Sequence, residues 1–302
     1  MQDYYFYEVN KDLDRNKFFE LFPKRPKDAN KGSTGKILLI SGSYGMAGAA
    51  SLNILGAKAL GAPYIHVALP AEIYPICASV HMTPVYHPYE SNSGGLMVQE
   101  QVSGGDVVKD ILPQMKAVCF GSGAVNNFAK RDIFNTLLND CRVPLVLDAE
   151  ALKIIKRYDV DMYSFRCPVI ITPHQGEFSV LADTSLVSLK EDPVGCACTY
   201  SADHNVITVL KGPETIVAAP DGRYYVNKSG NQGLAQTGSG DVLAGMITAM
   251  LTFCGDPFDA ACMAVFAHGM AADELAAEYS KQLLPLEKIP QAMDRLFFQR
   301  GF

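Results

Sequence analysis

The chain has 302 residues, 48% of them apolar and 19% charged, with a net charge of −6. That balance belongs to a folded protein with a large core, not to a disordered one. With no long basic run, it argues against a nucleic-acid backbone as partner.

The N-terminal twenty residues carry charges throughout and lack an apolar signal core, so no signal peptide is expected. No apolar run reaches membrane-spanning length, so no membrane association is expected either. The eight cysteines are scattered, and Cys196-x-Cys198 has no second half, so a zinc site is not expected. Reduced thiols in a cytoplasm are the simplest expectation.

Taken in order, residues 1–30 read as an N-terminal helix and a lead-in segment. Lys36–Ser41 is a short apolar run of buried-strand length. Gly42-x-x-Gly45-x-x-Gly48 follows, then an alanine- and leucine-rich helix to Ala62. Tyr64–Leu69 is the next strand. Ala117–Phe120 is a strand ending in Gly121-Ser122-Gly123, and 127–140 has helical spacing. Pro144–Leu147 ends at Asp148, Val169–Thr172 at Pro173-His174, and Val206–Leu210 at Lys211-Gly212. Thr215–Ala218 and Tyr224–Asn227 flank Asp221-Gly222 and read as a hairpin. Two long helices, about 241–254 and 257–279, close the pattern. Repeated strand–loop–helix units predict a single α/β domain over 1–302, a mostly parallel sheet covered by helices on both faces.

Ligands of such sheets bind beyond the carboxyl ends of the strands, and every end named above is polar or glycine-rich. Thr237-Gly238-Ser239-Gly240-Asp241 opens a helix, a ready anion site with a carboxylate at its mouth. Asp241 either caps that helix or acts as a base. His174 follows its strand instead of lying within it, which favours a site role. Glu177 either starts a helix or serves the site. Lys211 is a phosphate partner or a solvated hairpin lysine. Asp148 either caps the next helix or, with Glu150, positions a hard cation. The Gly42–Gly48 and Gly121–Gly123 turns are by themselves weak signals.

Together, Lys31-Gly32…Gly35, Gly42-Ser43-x-Gly45-Met46-x-Gly48-Ala49-Ala50, Thr172-Pro173-His174-x-Gly176-Glu177, Leu210-Lys211-Gly212 and Gly230…Gly238-Ser239-Gly240-Asp241 resemble the NAD(P)H-hydrate dehydratase family of the ribokinase-like superfamily. Three positions depart from it: Asn30 stands in place of a histidine, Glu150 in place of a second aspartate, and Ser122 with Ala124-Val125 in a loop elsewhere richer in glycine.

The resemblance implies a three-layer α/β/α fold. It also implies repair of NADH or NADPH hydrates driven by ADP or ATP with Mg²⁺, in a stand-alone enzyme without an epimerase domain. It places the hydrate at Gly48, Ala49, Gly123, His174 and Asp241. The nucleotide falls to Lys211, Gly212, Pro213, Glu214, Thr215 and Gly240, the anion hole to Gly238, Ser239 and Gly240, and an indirect metal contact to Glu177. Asp241 is the expected base. ADP is favoured as donor, and a homo-oligomer, preferentially a tetramer, is expected. A ribokinase-like kinase of a small vitamin precursor and a catalytically dead nucleotide-binding regulator are the competing readings.

Overall fold

The computed structural model describes residues 6–25, 27–29, 35–90, 104–125 and 128–302. Lys31, Gly32 and the Asn30 departure lie outside the described residues.

Ten strands form one sheet: β1 (Tyr7–Glu8), β2 (Lys36–Ile40), β3 (Ile65–Pro70), β4 (Val85–Tyr89), β5 (Met115–Phe120), β6 (Leu145–Leu147), β7 (Val169–Ile171), β8 (Ile207–Leu210), β9 (Ile216–Ala218) and β10 (Arg223–Val226). Their order is β1-β10-β9-β8-β7-β6-β5-β2-β3-β4. Pairing is parallel except at β8–β9 and β9–β10, the expected hairpin.

The central strands are buried on both faces, which is why they read as continuous apolar runs. In β2, Ile37 and Leu39 face one core while Leu38 and Ile40 face the other. Ala117 and Cys119 of β5 divide from Val118 and Phe120 in the same way. The first core is covered by α1 (Arg15–Leu21), α2 (Ala47–Ala59), α10 (Ser239–Met250), α11 (Pro257–Leu275) and α12 (Ile289–Phe298). The second is covered by α4 (Gly104–Ile111), α5 (Phe128–Asp140), α6 (Glu150–Arg157), α7 (Gln175–Leu181), α8 (Leu186–Glu191) and α9 (Pro193–His204). The short α3 (Tyr74–Val80) lies between β3 and β4. The three-layer α/β/α expectation is met.

Several local expectations need correction. Of the N-terminal segment, only Arg15–Leu21 is helical, started by Asp14, whose carboxylate accepts from Lys17 N at 2.8 Å. Tyr7–Glu8 is instead a strand, paired in parallel with β10. The edge strand β4 was not foreseen, because His87-Pro88 interrupts its pattern; at a sheet edge a proline removes no ladder bond. The last two long helices end at Met250 and Leu275, earlier than the 254 and 279 expected.

The contact that positions the site is that of α2 with α10. A methyl group at Gly56 would meet the Val242 carbonyl oxygen at 1.9 Å, and one at Gly245 the Asn53 oxygen at 2.0 Å. The two helices therefore touch backbone to backbone. Between these points Asn53 Nδ2 donates to the Asp241 carbonyl at 3.0 Å. Gly56→Ala should force the helices apart, at a cost of about 1–3 kcal/mol or more. A thermal melt should show the loss as a Tm several degrees lower.

Candidate active site

The site lies at the carboxyl ends of β2, β5, β6, β7 and β8. Helix α10 starts at Gly238, whose φ of +94° is a left-handed conformation that suits glycine. No side chain caps this helix, and Asp241 sits in its first turn. The capping reading of Asp241 is thereby set aside. Among the described residues its carboxylate takes no hydrogen bond. Burial, then the nearby charge of Asp148, pushes its pKa from 3.8 up to about 7, with Lys211 opposing. A partly buried carboxyl titrating near neutrality is suited to act as a general base.

Asp148 is no helix cap either, since α6 begins after Ala149 without a side-chain bond. It is 2% exposed and accepts from Ser122 Oγ (2.8 Å), Thr172 Oγ1 (2.7 Å) and Lys211 Nζ (3.2 Å). Lys211 is likewise no solvated hairpin lysine. Its Nζ would lie 3.0 Å from a methyl group built on Gly240. Burial lowers its pKa, but Asp148, Glu177 and Asp241 more than restore it, leaving the pKa raised. The ammonium is held charged against the turn that precedes Asp241.

His174 starts α7 through a reciprocal cap. Its Nδ1 accepts from Glu177 N at 3.1 Å, while Glu177 Oε2 accepts from His174 N at 2.9 Å. The imidazole itself is 60% exposed and lines a cleft of about 540 Å³. The backbone beside it is fixed by Lys211 N, which donates to Pro173 O at 2.8 Å. The cleft also takes in Lys211, Gly212, Pro213, Thr215, Ser239 and Gly240. Glu214 is exposed and does not line it, and neither does Gly238, the residue that caps α10.

Gly48 and Ala49 lie on the first turn of α2, little more than one turn before Asn53. The Gly123 loop packs onto them. Gly42 N donates to Ser122 O at 2.8 Å, Ser43 Oγ donates to Gly123 O at 2.8 Å, and Gly123 abuts the Ala49 methyl. The structure thus brings the Gly48–Ala49 and Gly123 turns together at the start of α2, whose Asn53 reaches the Asp241 carbonyl. Asp241 itself does not line the cleft, whose wall takes in its neighbours Ser239 and Gly240.

Sequence reasoning did not find several supports. Lys130 on α5, fully buried, donates to the Gly42 carbonyl at 3.1 Å and to the Tyr89 hydroxyl; burial lowers its pKa to about 7. Asp273 on α11 accepts from Gly230 N (2.8 Å) and Asn231 Nδ2 (2.9 Å), fixing the loop that leads into α10. Asn227, Ser229 and His268 complete the cleft wall. The roles of Ser122 and Thr172 had one signal, their position at strand ends.

Mg²⁺ takes oxygen ligands and commonly keeps several waters and phosphate oxygens. Among the described residues no group of three or more Asp, Glu, His or Cys could hold a metal ion. Both Asp148 oxygens are engaged by donors. Glu177 commits one oxygen to the α7 cap and is 15% exposed. This donor set fits a cation bound chiefly through phosphate and water and touched indirectly by Glu177.

A profile described as NAD(P)H-hydrate dehydratase matches residues 37–293. The ADP-dependent (S)-NAD(P)H-hydrate dehydratase of Bacillus subtilis (strain 168) is 31% identical over 276 residues, covering 91% of this chain and 93% of that protein. A crystal structure of the Bacillus subtilis ADP/ATP-dependent NAD(P)H-hydrate dehydratase, co-crystallized with ATP/Mg²⁺, superposes with TM-score 0.79 at 28% identity. It covers 95% of this chain and 97% of its own. A ribokinase-like superfamily protein from Enterococcus faecalis V583 superposes with TM-score 0.82 at 20% identity, over 99% of each chain, a likeness of fold alone. The chain spans about half the length of the bifunctional NAD(P)H-hydrate repair enzymes it also matches, 49% for that of Moorella thermoacetica.

Proposed function

We propose that this chain, which belongs to the NAD(P)H-hydrate dehydratase family, returns the (S)-hydrates of NADH and NADPH to the intact cofactors at the expense of ADP or ATP. One observation carries the proposal. A carboxyl group titrating near pH 7, free of hydrogen bonds among the described residues, stands at a glycine-rich helix mouth beside a partly buried lysine, next to a cleft of about 540 Å³ that Lys211, Ser239 and Gly240 line.

The chemistry follows from that placement. Hydroxide leaves poorly, and phosphorylating the hydroxyl turns it into a good leaving group. Asp241 takes the proton of the hydrate's hydroxyl, and the oxygen attacks the terminal phosphorus of the nucleotide. The P–O bond to the donor breaks as the new one forms, giving AMP from ADP or ADP from ATP. Backbone N–H groups of Gly238–Gly240 and the α10 dipole stabilise the charge on the transferred group. Lys211 adds its positive charge beside Gly240. Phosphate then leaves C6, helped by the ring-nitrogen lone pair, and the resulting iminium loses a C5 proton to the departing phosphate or to water, which restores the dihydronicotinamide. When bound, Mg²⁺ neutralises phosphate charge, with Glu177 reaching it through water.

Gly48, Ala49, Gly123 and His174 hold the hydrate in this scheme. Lys211, Gly212, Pro213, Thr215 and Gly240, which line the cleft, hold the nucleotide, while Glu214, expected with them, stands exposed outside it. Incubation with NADH hydrate and either ADP or ATP, followed by NADH absorbance, tests the proposal. NADH should return with one free phosphate per molecule. A stable phosphorylated product would mark a small-molecule kinase instead, and no nucleotide turnover a binding protein.

The proposal extends to a cytoplasmic homo-oligomer, a tetramer, acting on small molecules with no nucleic-acid or membrane partner. Its support is a strip of exposed apolar side chains, Tyr74, Ile76, Val80, Met82 and Val85, along α3 and the edge strand β4. Among the described residues no helix is long and apolar enough to cross a membrane. Light scattering should return a mass near four times 32.8 kDa; a monomer mass would refute the oligomer.

A further inference from the structure

Asp148 is more deeply buried than any residue in the scheme above, yet nothing in that scheme uses it. It accepts three hydrogen bonds from three different loops. Each donor is tied to one part of the site. Ser122 adjoins Gly123, Thr172 precedes Pro173-His174, and Lys211 lies against Gly240. Four strand ends, those of β5, β6, β7 and β8, thus converge on one carboxylate. We propose that Asp148 is a positioning residue for phosphoryl transfer, fixing Lys211 at the mouth of α10 and acting on Asp241 through its charge. This rests on the dehydratase reading of the site.

The donor set shows what the carboxylate supplies. Three donors point at it, and a carboxylate only accepts. An asparagine could turn its NH₂ group toward Ser122, whose hydroxyl can rotate to accept, and keep its oxygen on Thr172 and Lys211. What it removes is the charge. With both its oxygens engaged, Asp148 has no need of substrate or metal to satisfy it. It acts through Lys211 and through space on Asp241.

Among the described residues, the titratable groups coupled to Asp241 or to Lys211 are Asp148 after β6, Glu177 on α7, Cys119 on β5 and His268 on α11. Burial raises the Cys119 pKa to about 12 and lowers that of His268 to about 4, so neither carries charge at neutral pH. Of the groups that remain, the charge of Asp148 raises the pKa of Asp241 and that of Lys211 lowers it.

The test is Asp148→Asn. The acid limb of its kcat–pH profile should fall by about one pH unit below that of the wild type, because a like charge beside the base is gone. At pH values well below the limb, activity relative to the variant's own maximum should rise about tenfold, while KM for the nucleotide increases as Lys211 loses its counter-charge. A purely structural role would lower activity without moving the limb, and an unmoved limb overturns the proposal. Asp148→Ser, read in the same way, stands in should the asparagine variant not fold; failure of both to fold would assign Asp148 to the fold and also overturn it. Conversion of the nucleotide, ADP to AMP or ATP to ADP, reads the profile for any alcohol substrate. If wild type restores no NADH, the dehydratase reading fails; if it does and the limb stays in place, only the role of Asp148 fails.

Discussion

Asp241→Asn should reduce turnover by a factor of roughly 10²–10⁴, the usual worth of a general base, while leaving the protein folded and more stable above neutral pH. The two effects have one cause. The ordinary aspartate pKa is 3.8, and in the folded protein Asp241 titrates at about 7. Folding therefore favours the protonated form, and ionisation costs stability. The cost appears above about pH 4, grows to about pH 7 and is complete beyond it. Asparagine has nothing to ionise. Melting curves of variant and wild type should coincide near pH 4 and separate by pH 8, the variant being higher by on the order of 1–4 kcal/mol. The wild-type rate should rise with pH through about 7, since the base works ionised. A variant that keeps normal turnover would remove Asp241 from the chemistry; one that melts lower at pH 8 would mean its side chain supports α10 after all.

Lys211→Met should be the most damaging single change to both stability and activity. It leaves Asp148, 2% exposed, without its cation. Breaking a buried pair from one side costs about 3–5 kcal/mol. The low end applies, because the lysine side chain is 21% exposed and water can reach the vacated space. Nucleotide turnover should fall as well, since the positive charge beside Gly240 is lost. The double variant Lys211→Met/Asp148→Asn separates the two losses. Neutralising the stranded carboxylate should recover much of the stability, whereas activity should stay low. Denaturant unfolding reads the first and phosphate release the second. A double variant no more stable than Lys211→Met would show that the pair was not what held Asp148 in place.

Much of the site was legible because its chemistry sits at strand ends, where an apolar run stops and a polar or glycine-rich turn begins. His174, Lys211 and the Gly238–Asp241 turn are of this kind and lie around the cleft or at the mouth of α10, while Gly123 packs against Ala49. What stayed ambiguous were the residues with two local explanations. Asp148 and Asp241 each stand before or within the first turn of a helix, where a cap is always a sufficient account. The structure settles both against capping. In α6 the cap falls to Ala149, leaving Asp148 to point into the sheet's end, and in α10 it falls to Gly238. Lys211 was ambiguous for the opposite reason: a lysine before a hairpin is solvated unless a distant strand supplies a buried carboxylate.

The sequence by itself determined the strand–helix alternation, the parallel sheet and the polar or glycine-rich strand ends that make up the candidate site. Those features repeat every few residues along the chain, so local periodicity carries them. Only the tertiary structure decided that Ser122, Thr172 and Lys211 meet on Asp148, residues 24 to 63 positions away from it in the chain. It also decided that α2 and α10 touch through Gly56 and Gly245. Such contacts depend on which strands become neighbours and how closely two helices approach. Burial and the charge of Asp148 then raise the proton affinity of Asp241.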